Sequence, residues 1–536
     1  MTELPDRGGT CALLLRSALL VLAAAVPAVA YEHHDSRVDF QDWADDVVER
    51  NLAQQRPYFL LFSAEWCHWC HEFEKHALSR KEVYGYLNEH FVNVFIDADI
   101  HNAAYARYRA TGLPYVVFLK PDGSIHFRYS GTIYADQFVE VLQDIRKTID
   151  EGLSIPGQDI ELDPYVPPET LEVAELIALS RGFSEGIVEN FDPREHGVGR
   201  GEKAILPRTF LYLLEHAQDQ EREAVIEGVG KALDRAIETI YDPVEGGFFR
   251  YAETRDWRVP HYEKMADLNA GAVLVLHRLG ELSSSAERAG AGTRTTEYLQ
   301  STLFEPRLGT FLSFQGADTR YFRLDAAGRE AARAPLIADK VFTDRLAATL
   351  DHLLDVLPHA GDPMLEGQVL GSLEFLASMA AGQDRLRRYH LPADGTWHGD
   401  SLPRDYALVA RVFQKAARRL SEPRYARISH GVVESAISRF YEPERGIFVD
   451  PSFAGDDSIE YLMETNALLA LAMMRLDEDG LPQRWDVVES LMTYFSGVGE
   501  LLDERLWEST EWEIMEAYVP YLEAIDAWLA LGSERS

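Results

Sequence analysis

The chain has 536 residues, 46% hydrophobic and 26% charged, and its 52 Lys and Arg against 88 Asp and Glu give a formal net charge of −36. That length exceeds one ordinary domain and leaves ample chain for large cores. The acidity argues against nucleic acid or an anionic membrane as a partner, because phosphate backbones reward basic surfaces.

In chain order, the first feature resembles a leader. Arg7 and Arg16 precede the apolar run Ala18–Ala30, which ends in Ala28-Val29-Ala30, an A-x-A cleavage pattern. The run falls short of the about 20 residues that a membrane-spanning helix needs. Residues 1–30 are therefore read as a signal peptide, and the protein as periplasmic or secreted, with no membrane span once the signal is removed. Cys11 would leave with the signal, so the mature chain keeps only Cys67 and Cys70. One tight pair is no disulfide framework; its purpose is chemical.

The next unit, residues 31–150, carries that pair. A helix is expected from about Gln41 to Gln55, and Tyr58–Phe62 is an apolar strand. In "FLLFSAEWCHWCHEFEK", residues 59–75, the C-x-x-C follows the strand and opens a helix. Ser79-Arg80-Lys81-Glu82 is a capping box for a third helix, with Val83, Leu87 and Phe91 on its buried face. Asn93–Ile96 is a strand, Ala103–Arg109 a helix, and Tyr115–Leu119 a strand that turns at Pro121-Asp122-Gly123-Ser124 into Ile125–Tyr129. An amphipathic helix, Asp136–Ile149, closes the unit.

Cys67-His68-Trp69-Cys70-His71 has two further readings. C-x-x-C-H is also the covalent c-type haem attachment pattern, but a haem module is helical and needs a pocket and a distal ligand. A zinc site is weaker still, since His68 and His71 on adjacent turns lack the usual ligand spacing. The dithiol reading fits the context: Cys67 at a helix N-terminus is the nucleophile, its thiolate favoured by unpaired N–H groups, and Cys70 resolves the mixed disulfide. His68 places positive charge or a hydrogen bond beside the thiolate and makes the disulfide more oxidising, while Trp69 restricts access. No metal and no other cofactor is called for; the redox centre is the Cys67–Cys70 pair, and its partners are protein thiols or disulfides. "SAEWCHWC" resembles the active-site entry of the thioredoxin fold and "TGLPYVVF" its cis-proline loop. That resemblance implies that Pro114 is cis and brings the Leu113 backbone to the sulfurs as an edge for substrate. It also marks two departures: Leu61 stands where thioredoxin has a buried Asp, and His71 where it has Lys.

Residues 151–170 form a linker, proline-bearing and aperiodic from Ser154 to Glu169. Helical periodicity then dominates residues 171–536, as in Ala224–Ile240, Leu346–Val356, Val432–Phe440 and Asn466–Leu476. An internal repeat runs through this region: "YDPVEGGFF" from Tyr241, "FEPRLGTFL" from Phe304 and "YEPERGIFV" from Tyr441, with looser copies from Phe191 and Ala393. Each copy follows a helix, where Pro stops the helix and Gly permits a tight return. Repeated helical hairpins of this kind bury their apolar faces by closing into an all-α (α/α)6 toroid. The fold class is thus multidomain, an α/β thioredoxin-like fold followed by that toroid.

After Pro260, a helix start would display His261 and Lys264 on one side and pair Glu263 with Asp267 at i,i+4. The stretch resembles the YyaL-like or spermatogenesis-associated protein 20-like family, a thioredoxin domain followed by a six-hairpin-glycosidase-like barrel. The resemblance rests on the CHWCH motif, Leu87-Asn88-Glu89-His90-Phe91-Val92, Gly246-Gly247-Phe248, Trp257, Val259 to Met265, Asp267, Asn269, Asp339-Lys340 and Asp405-Tyr406-Ala407. It implies a possible barrel site made of Trp257, His261, Glu263, Lys264, Asp267, Asp339 and Asp405, with a carbohydrate or other small molecule as ligand. Two functional readings follow. One is an exported thiol–disulfide oxidoreductase whose barrel binds or selects substrate; the other is an epimerase- or glycosidase-like barrel with a redox-sensing appendage.

Overall fold

The sheet that carries the dithiol is built from short apolar runs. In chain order the elements are β1 (Phe40–Asp42), α1 (Val47–Asn51), β2 (Tyr58–Ser63), α2 (His68–Phe73), α3 (Lys81–His90), β3 (Val92–Asp97), α4 (Asn102–Arg107), β4 (Tyr115–Leu119), β5 (Ile125–Ser130) and α5 (Ala135–Asp150). They come from a computed structural model that describes residues 33, 36–108, 110, 112–155, 165–217, 221–380, 385–451, 459–475, 484–498 and 512–535. The expected leader, linker residues 156–164, Arg109 and Leu476 lie outside the described residues.

Strand order is β1-β3-β2-β4-β5, with β3 parallel to β1 and β2, and β4 antiparallel to β2 and β5. All residues of β2, β3 and β4 are buried, as central strands covered on both faces must be. Two local expectations are corrected. Residues 40–42 form an edge strand, its ladder continued by Trp43 N–H donating to the Phe95 carbonyl at 3.1 Å, and helix begins only at Val47. A partner strand fifty residues away decides that, which local periodicity cannot see. The capping box also does not form: α3 starts after Arg80 without a side-chain cap, and the Ser79 hydroxyl turns back to the Lys75 carbonyl. Ser79 ends the π-turn Glu74–Leu78 rather than starting the next helix.

The helical region follows as α6 (Val173–Asn190), α7 (Pro207–His216), α8 (Arg222–Thr239), α9 (Ala266–Leu282), α10 (Ala286–Tyr298), the short α11 (Thr319–Phe322) and α12 (Ala326–Glu330), α13 (Thr343–Ala360), α14 (Pro363–Ala380), α15 (Pro403–Leu420), α16 (Pro423–Phe440), α17 (Ile459–Arg475), α18 (Trp485–Phe495) and α19 (Trp512–Arg535). Helices α7, α9, α13, α15, α17 and α19 pack each on the next, and α19 returns to α7, closing an inner ring. Helices α6, α8, α10, α14, α16 and α18 lie outside, each preceding its inner neighbour in the chain. This is the (α/α)6 toroid.

The repeat is the connection from an outer to an inner helix. Its leading aromatic pairs antiparallel with the residue seven positions on: Phe191 with Val198, Tyr241 with Phe248, Phe304 with Phe311, Tyr441 with Phe448. Gly246 shows why glycine is needed in the turn: its φ is +80°, and a Cβ would come within 2.5 Å of the Arg294 carbonyl oxygen. The following inner helix locks the hairpin through an asparagine whose side chain both accepts from the phenylalanine N–H and donates to its carbonyl. Asn269 does so to Phe248 at 2.7 and 3.0 Å, and Asn466 to Phe448 at 2.7 and 2.9 Å. Because every copy sits at an outer-to-inner connection, these loops crowd one rim of the toroid, where the inner helices begin.

Candidate active site

Cys67 caps α2: its sulfur accepts from the Cys70 N–H at 3.2 Å, and the two sulfurs are bonded to each other. Strand β2 delivers the motif through Ala64-Glu65-Trp66, and the Leu113–Pro114 bond is cis, as the resemblance implied. Leu113 packs into the same apolar cluster as both cysteines. That cluster is not the sheet's core. Tyr58, Leu60, Phe62, Val94 and Ile96 form a separate one, whereas Ala64, Trp66, Cys67 and Cys70 are continuous with the toroid interior. Cys67 is only 4% exposed and Cys70 1%.

The cover over the dithiol is the rim of the toroid. Arg250 lays its guanidinium over the Trp66 ring at 4.7 Å and pairs with Glu263 and Glu513 at 3.6 and 3.3 Å. Trp69, inside the C-x-x-C, donates its indole N–H to His261 Nε2 at 3.2 Å. That bond leaves the His261 proton on Nδ1, which faces Glu263 at 3.5 Å. Lys340 donates to Glu65 at 3.2 Å, and Arg388 to the Asp99 main-chain carbonyl at 2.9 Å, while the Asp99 carboxylate accepts from Trp66 Nε1 at 2.8 Å. Arg250 and His261 belong to the connection before α9, Lys340 to that before α13, and Arg388 to that before α15. Three outer-to-inner connections therefore grip one face of the thioredoxin-like fold.

Burial sets the electrostatics. It holds the His68 imidazole below its ordinary range, with Glu72 and Glu263 only partly opposing, so near neutral pH His68 is uncharged and the expected positive charge beside the thiolate is absent. Burial, with Asp99 and Glu65 nearby, pushes Asp97 up to about 7, and burial likewise raises Glu65 and Asp99. Burial works against the charge on Lys340, but Glu65 and Asp339 outweigh it and raise its pKa. At the rim, burial and Glu513 lift Glu202 to about 7. Burial would lift Glu263 too, yet His261 and Arg250 hold it below the usual carboxylate range. Glu263 Oε2 is buried without a hydrogen-bond partner.

The expected site residues divide. Cys67, Cys70, His68, Trp69, His261 and Glu263 meet at the rim, and Pro114 lies buried beside Leu113 in the fold below. His71 is half-buried on α2, its N–H bonded to the Cys67 carbonyl at 3.3 Å. Asp339 sits next to the rim, holding Lys340 at 2.7 Å, and Asp405, buried and pushed to about 6 by burial, pairs with Arg388 at 2.6 Å. Residues 260–265 are not a helix start: Pro260–His261 and Lys264–Met265 are short strands, and α9 begins at Ala266. His261 and Lys264 consequently face different ways. Lys264 is fully buried on Asp242 at 2.6 Å, and Asp267 pairs with Arg345 at 3.0 Å instead of with Glu263. Trp257, fully buried, donates to the Glu195 carbonyl at 3.0 Å and packs against Gly197. It braces a turn.

Residues that sequence reasoning missed are Glu65, Trp66, Asp99, Arg250, Lys340, Arg388 and Glu202. Glu65 and Trp66 stand inside the quoted motif and Lys340 inside the quoted Asp-Lys pair, so position carried a signal for those three. Arg250 and Arg388 are isolated in the sequence and nothing local marks them. Among the described residues no group of three or more His, Cys, Asp or Glu side chains is placed to hold a metal ion, and no helix is long and apolar enough to cross a membrane.

A thioredoxin-like fold with a C-x-x-C disulfide, joined to an (α/α)6 toroid, defines the class. The family model Thioredox_DsbH, described as a protein of unknown function, DUF255, matches residues 22–153. Human spermatogenesis-associated protein 20 is 25% identical over 327 residues, 54% of this chain and 40% of that protein. An uncharacterized Caenorhabditis elegans protein, B0495.5, is 24% identical over 257 residues, 44% of this chain and 35% of its own length. The chain thus spans less than half the length of these relatives. The thiol:disulfide interchange protein DsbD of Yersinia pestis is 30% identical over 150 residues, 25% of each chain. Among solved structures, cellobiose 2-epimerase from Spirochaeta thermophila superposes with a TM-score of 0.51 at 14% identity, covering 68% of this chain and 100% of that one. D-mannose isomerase gives 0.50 at 9% identity, covering 69% and 100%. These likenesses bear out the toroid fold and the resemblance to spermatogenesis-associated protein 20.

Proposed function

We propose that the protein is an exported thiol–disulfide oxidoreductase acting on protein thiols or disulfides, in the periplasm or outside the cell, with the toroid rim selecting what reaches the Cys67–Cys70 pair. The observation that carries this reading is a disulfide at the C-x-x-C of a thioredoxin-like fold, buried under a rim that bonds to the motif itself. In the oxidising direction a substrate thiolate attacks Cys67 Sγ, the Cys67–Cys70 bond breaks, and Cys70 leaves as thiolate. A second substrate thiolate then attacks the substrate sulfur of the mixed disulfide and releases Cys67 as thiolate. Two electrons pass from substrate to the pair, and the substrate gains a disulfide. Asp97, which burial pushes up to about 7, and Asp99, which burial also raises, supply nearby proton carriers.

The test is trapping in the full chain. Cys70→Ser should accumulate mixed disulfides with substrate proteins and Cys67→Ser none; equal trapping by both would overturn the assignment.

The carbohydrate-active reading draws on one observation, the opposite displacement of two rim carboxyls, Glu202 upward and Glu263 downward. Such divergence suits an acid and a base. A full-length Cys67→Ser, Cys70→Ser variant that still turns over an oligosaccharide or epimerises a sugar would favour it, and an inert variant would leave the dithiol as the working centre.

A further inference from the structure

We propose that the toroid rim carries a specificity site beside the dithiol, a carboxylate cluster that holds a lysine or arginine side chain of the substrate protein. The inference rests on the oxidoreductase reading and names the substrates that the rim selects. The site is built on a small antiparallel sheet, in which Lys203 pairs with Ala252, Ala252 with Pro260 and Tyr251 with His261. Side chains alternate across a strand, so Lys203, Ala252 and Pro260 share one face and Glu202, Tyr251, Glu253 and His261 the other. The contacts agree: Lys203 is buried on Asp192 at 3.5 Å, whereas the Tyr251 and His261 rings stack at 4.0 Å. The second face meets the redox motif, because His261 Nε2 accepts from Trp69 at 3.2 Å and Glu253 lies 3.8 Å from that nitrogen.

That register sets Glu202 opposite Glu253. Like charges directly opposite one another destabilise a strand pair, so folding alone does not account for them. The Glu202 carboxylate makes no hydrogen bond or ion pair with a described residue. Glu253 has only His261 Nε2 beside it, and that nitrogen, already accepting from Trp69, has no proton to give. Burial, and next Glu513, push Glu202 up to about 7, as befits a carboxylate with no cation of its own. Independently of this pair, the Glu263 carboxylate turns into the same group, 3.5 Å from His261 Nδ1. It is 1% exposed, and its Oε2 has no partner. An orphaned acceptor buried among carboxylates calls for a donor.

Arg250 shows which kind of cation fits. Its guanidinium bridges Glu263 and Glu513 at 3.6 and 3.3 Å and lies over the Trp66 and Tyr251 rings at 4.7 and 5.4 Å. Carboxylates set beside aromatic faces suit guanidinium and ammonium groups. Arg250 engages Glu263 and Glu513 and leaves Glu202 and Glu253 for an incoming basic side chain. With Glu253 and Glu513 about half exposed, at 48 and 49%, that side chain can dock while the cysteines are still covered.

Fluorescence anisotropy of the full chain with labelled, cysteine-free peptides at about pH 8, where Glu202 is ionised, tests the site. A lysine-bearing peptide should bind saturably and about tenfold tighter than the same peptide with glutamates. Glu202→Gln with Glu253→Gln should weaken it about tenfold. Glu223→Gln with Glu287→Gln removes as much charge from exposed first turns of α8 and α10, at the ends of the outer helices away from the rim. That control should change binding by less than about twofold. Equal affinity for the two peptides, or equal losses in both double variants, overturns the site. The same peptides bearing one cysteine then separate the site from the reading beneath it. Faster exchange of the lysine peptide with the Cys67–Cys70 disulfide supports the selecting role, and equal exchange by both peptides overturns it. Exchange with neither peptide overturns the oxidoreductase reading and the selecting role with it.

Discussion

Two charged clusters only a few residues apart in sequence behave as opposites. Around Asp242, both carboxylate oxygens are satisfied: they accept from Lys264 at 2.6 Å, from two Arg329 nitrogens at 2.7 and 2.9 Å and from the Val244 N–H at 3.0 Å, and Lys264 also donates to the Gly246 carbonyl at 2.8 Å. At the dithiol rim, Glu263 has one oxygen with no partner, and His261 joins it to Trp69 of the C-x-x-C. Both clusters are buried and both hold residues that sequence alone groups together. The difference is closure. A saturated cluster locks a loop, whereas an open one beside a reactive disulfide has capacity left for chemistry.

The contrast breaks most sharply at the cysteines. Cys67→Ser should abolish thiol–disulfide exchange with insulin or scrambled ribonuclease while leaving the thermal midpoint nearly unchanged; residual exchange would remove the dithiol from its role. Asp242→Ala should show the reverse pattern. It strands Lys264 and Arg329, and stability should fall by about 3–5 kcal/mol, as for other buried pairs with one partner removed. A loss below about 1 kcal/mol in denaturant titration would mean that the cluster is not a lock.

Acid sharpens the same distinction among the carboxylates that start the inner helices. Burial opposes the charge of Glu464, but Arg404 and Arg208 outweigh it and hold it at about 2, against 4.5 when unfolded. As pH falls from 4.5 toward 2 the unfolded chain takes up this proton first, so the contribution is fully present above that window and is lost within it. It amounts to about 3 kcal/mol. Glu464→Gln should lower stability at neutral pH and flatten the acid limb; an unchanged limb would contradict the ion-pair account.

Smaller effects probe the rim. His261→Ala removes the acceptor for Trp69, a contact of about 1 kcal/mol, so alkylation of reduced Cys67 by iodoacetamide should speed up about fivefold. An unchanged rate would show that this bond does not hold the cover. Smallest is the effect of His68. With no buried carboxylate at Leu61, the reduction potential should lie above thioredoxin's about −270 mV. Because His68 is neutral, His68→Pro should lower it by no more than about 30 mV. A potential at or below thioredoxin's, unchanged by the substitution, would refute the oxidant assignment.

Much of this was legible without coordinates. Strands Tyr58–Ser63 and Tyr115–Leu119 announce themselves as apolar runs, and the periodic stretches of the toroid fall on helices α8, α13, α16 and α17, because both signals are local. The recurring aromatic, proline and glycine located four of the outer-to-inner connections, since a helix stop followed by a tight hairpin demands those residues. What failed was also local in kind. The strand at 40–42 depends on a distant partner, and the helix expected after Pro260 gives way to strands.

The sequence by itself determined the redox pair, the fold that presents it and the repeating hairpin, because each is written in residues within one turn or one strand of another. Only the tertiary structure decided that the dithiol is covered and by what. The bonds from Trp69 to His261, Glu65 to Lys340 and Asp99 to Arg388 join residues 192, 275 and 289 positions apart. No periodicity spans such distances. Ring closure of six helical hairpins brings those loops to one rim, and two short strands with different partners then turn His261 toward Trp69 and send Lys264 into the interior.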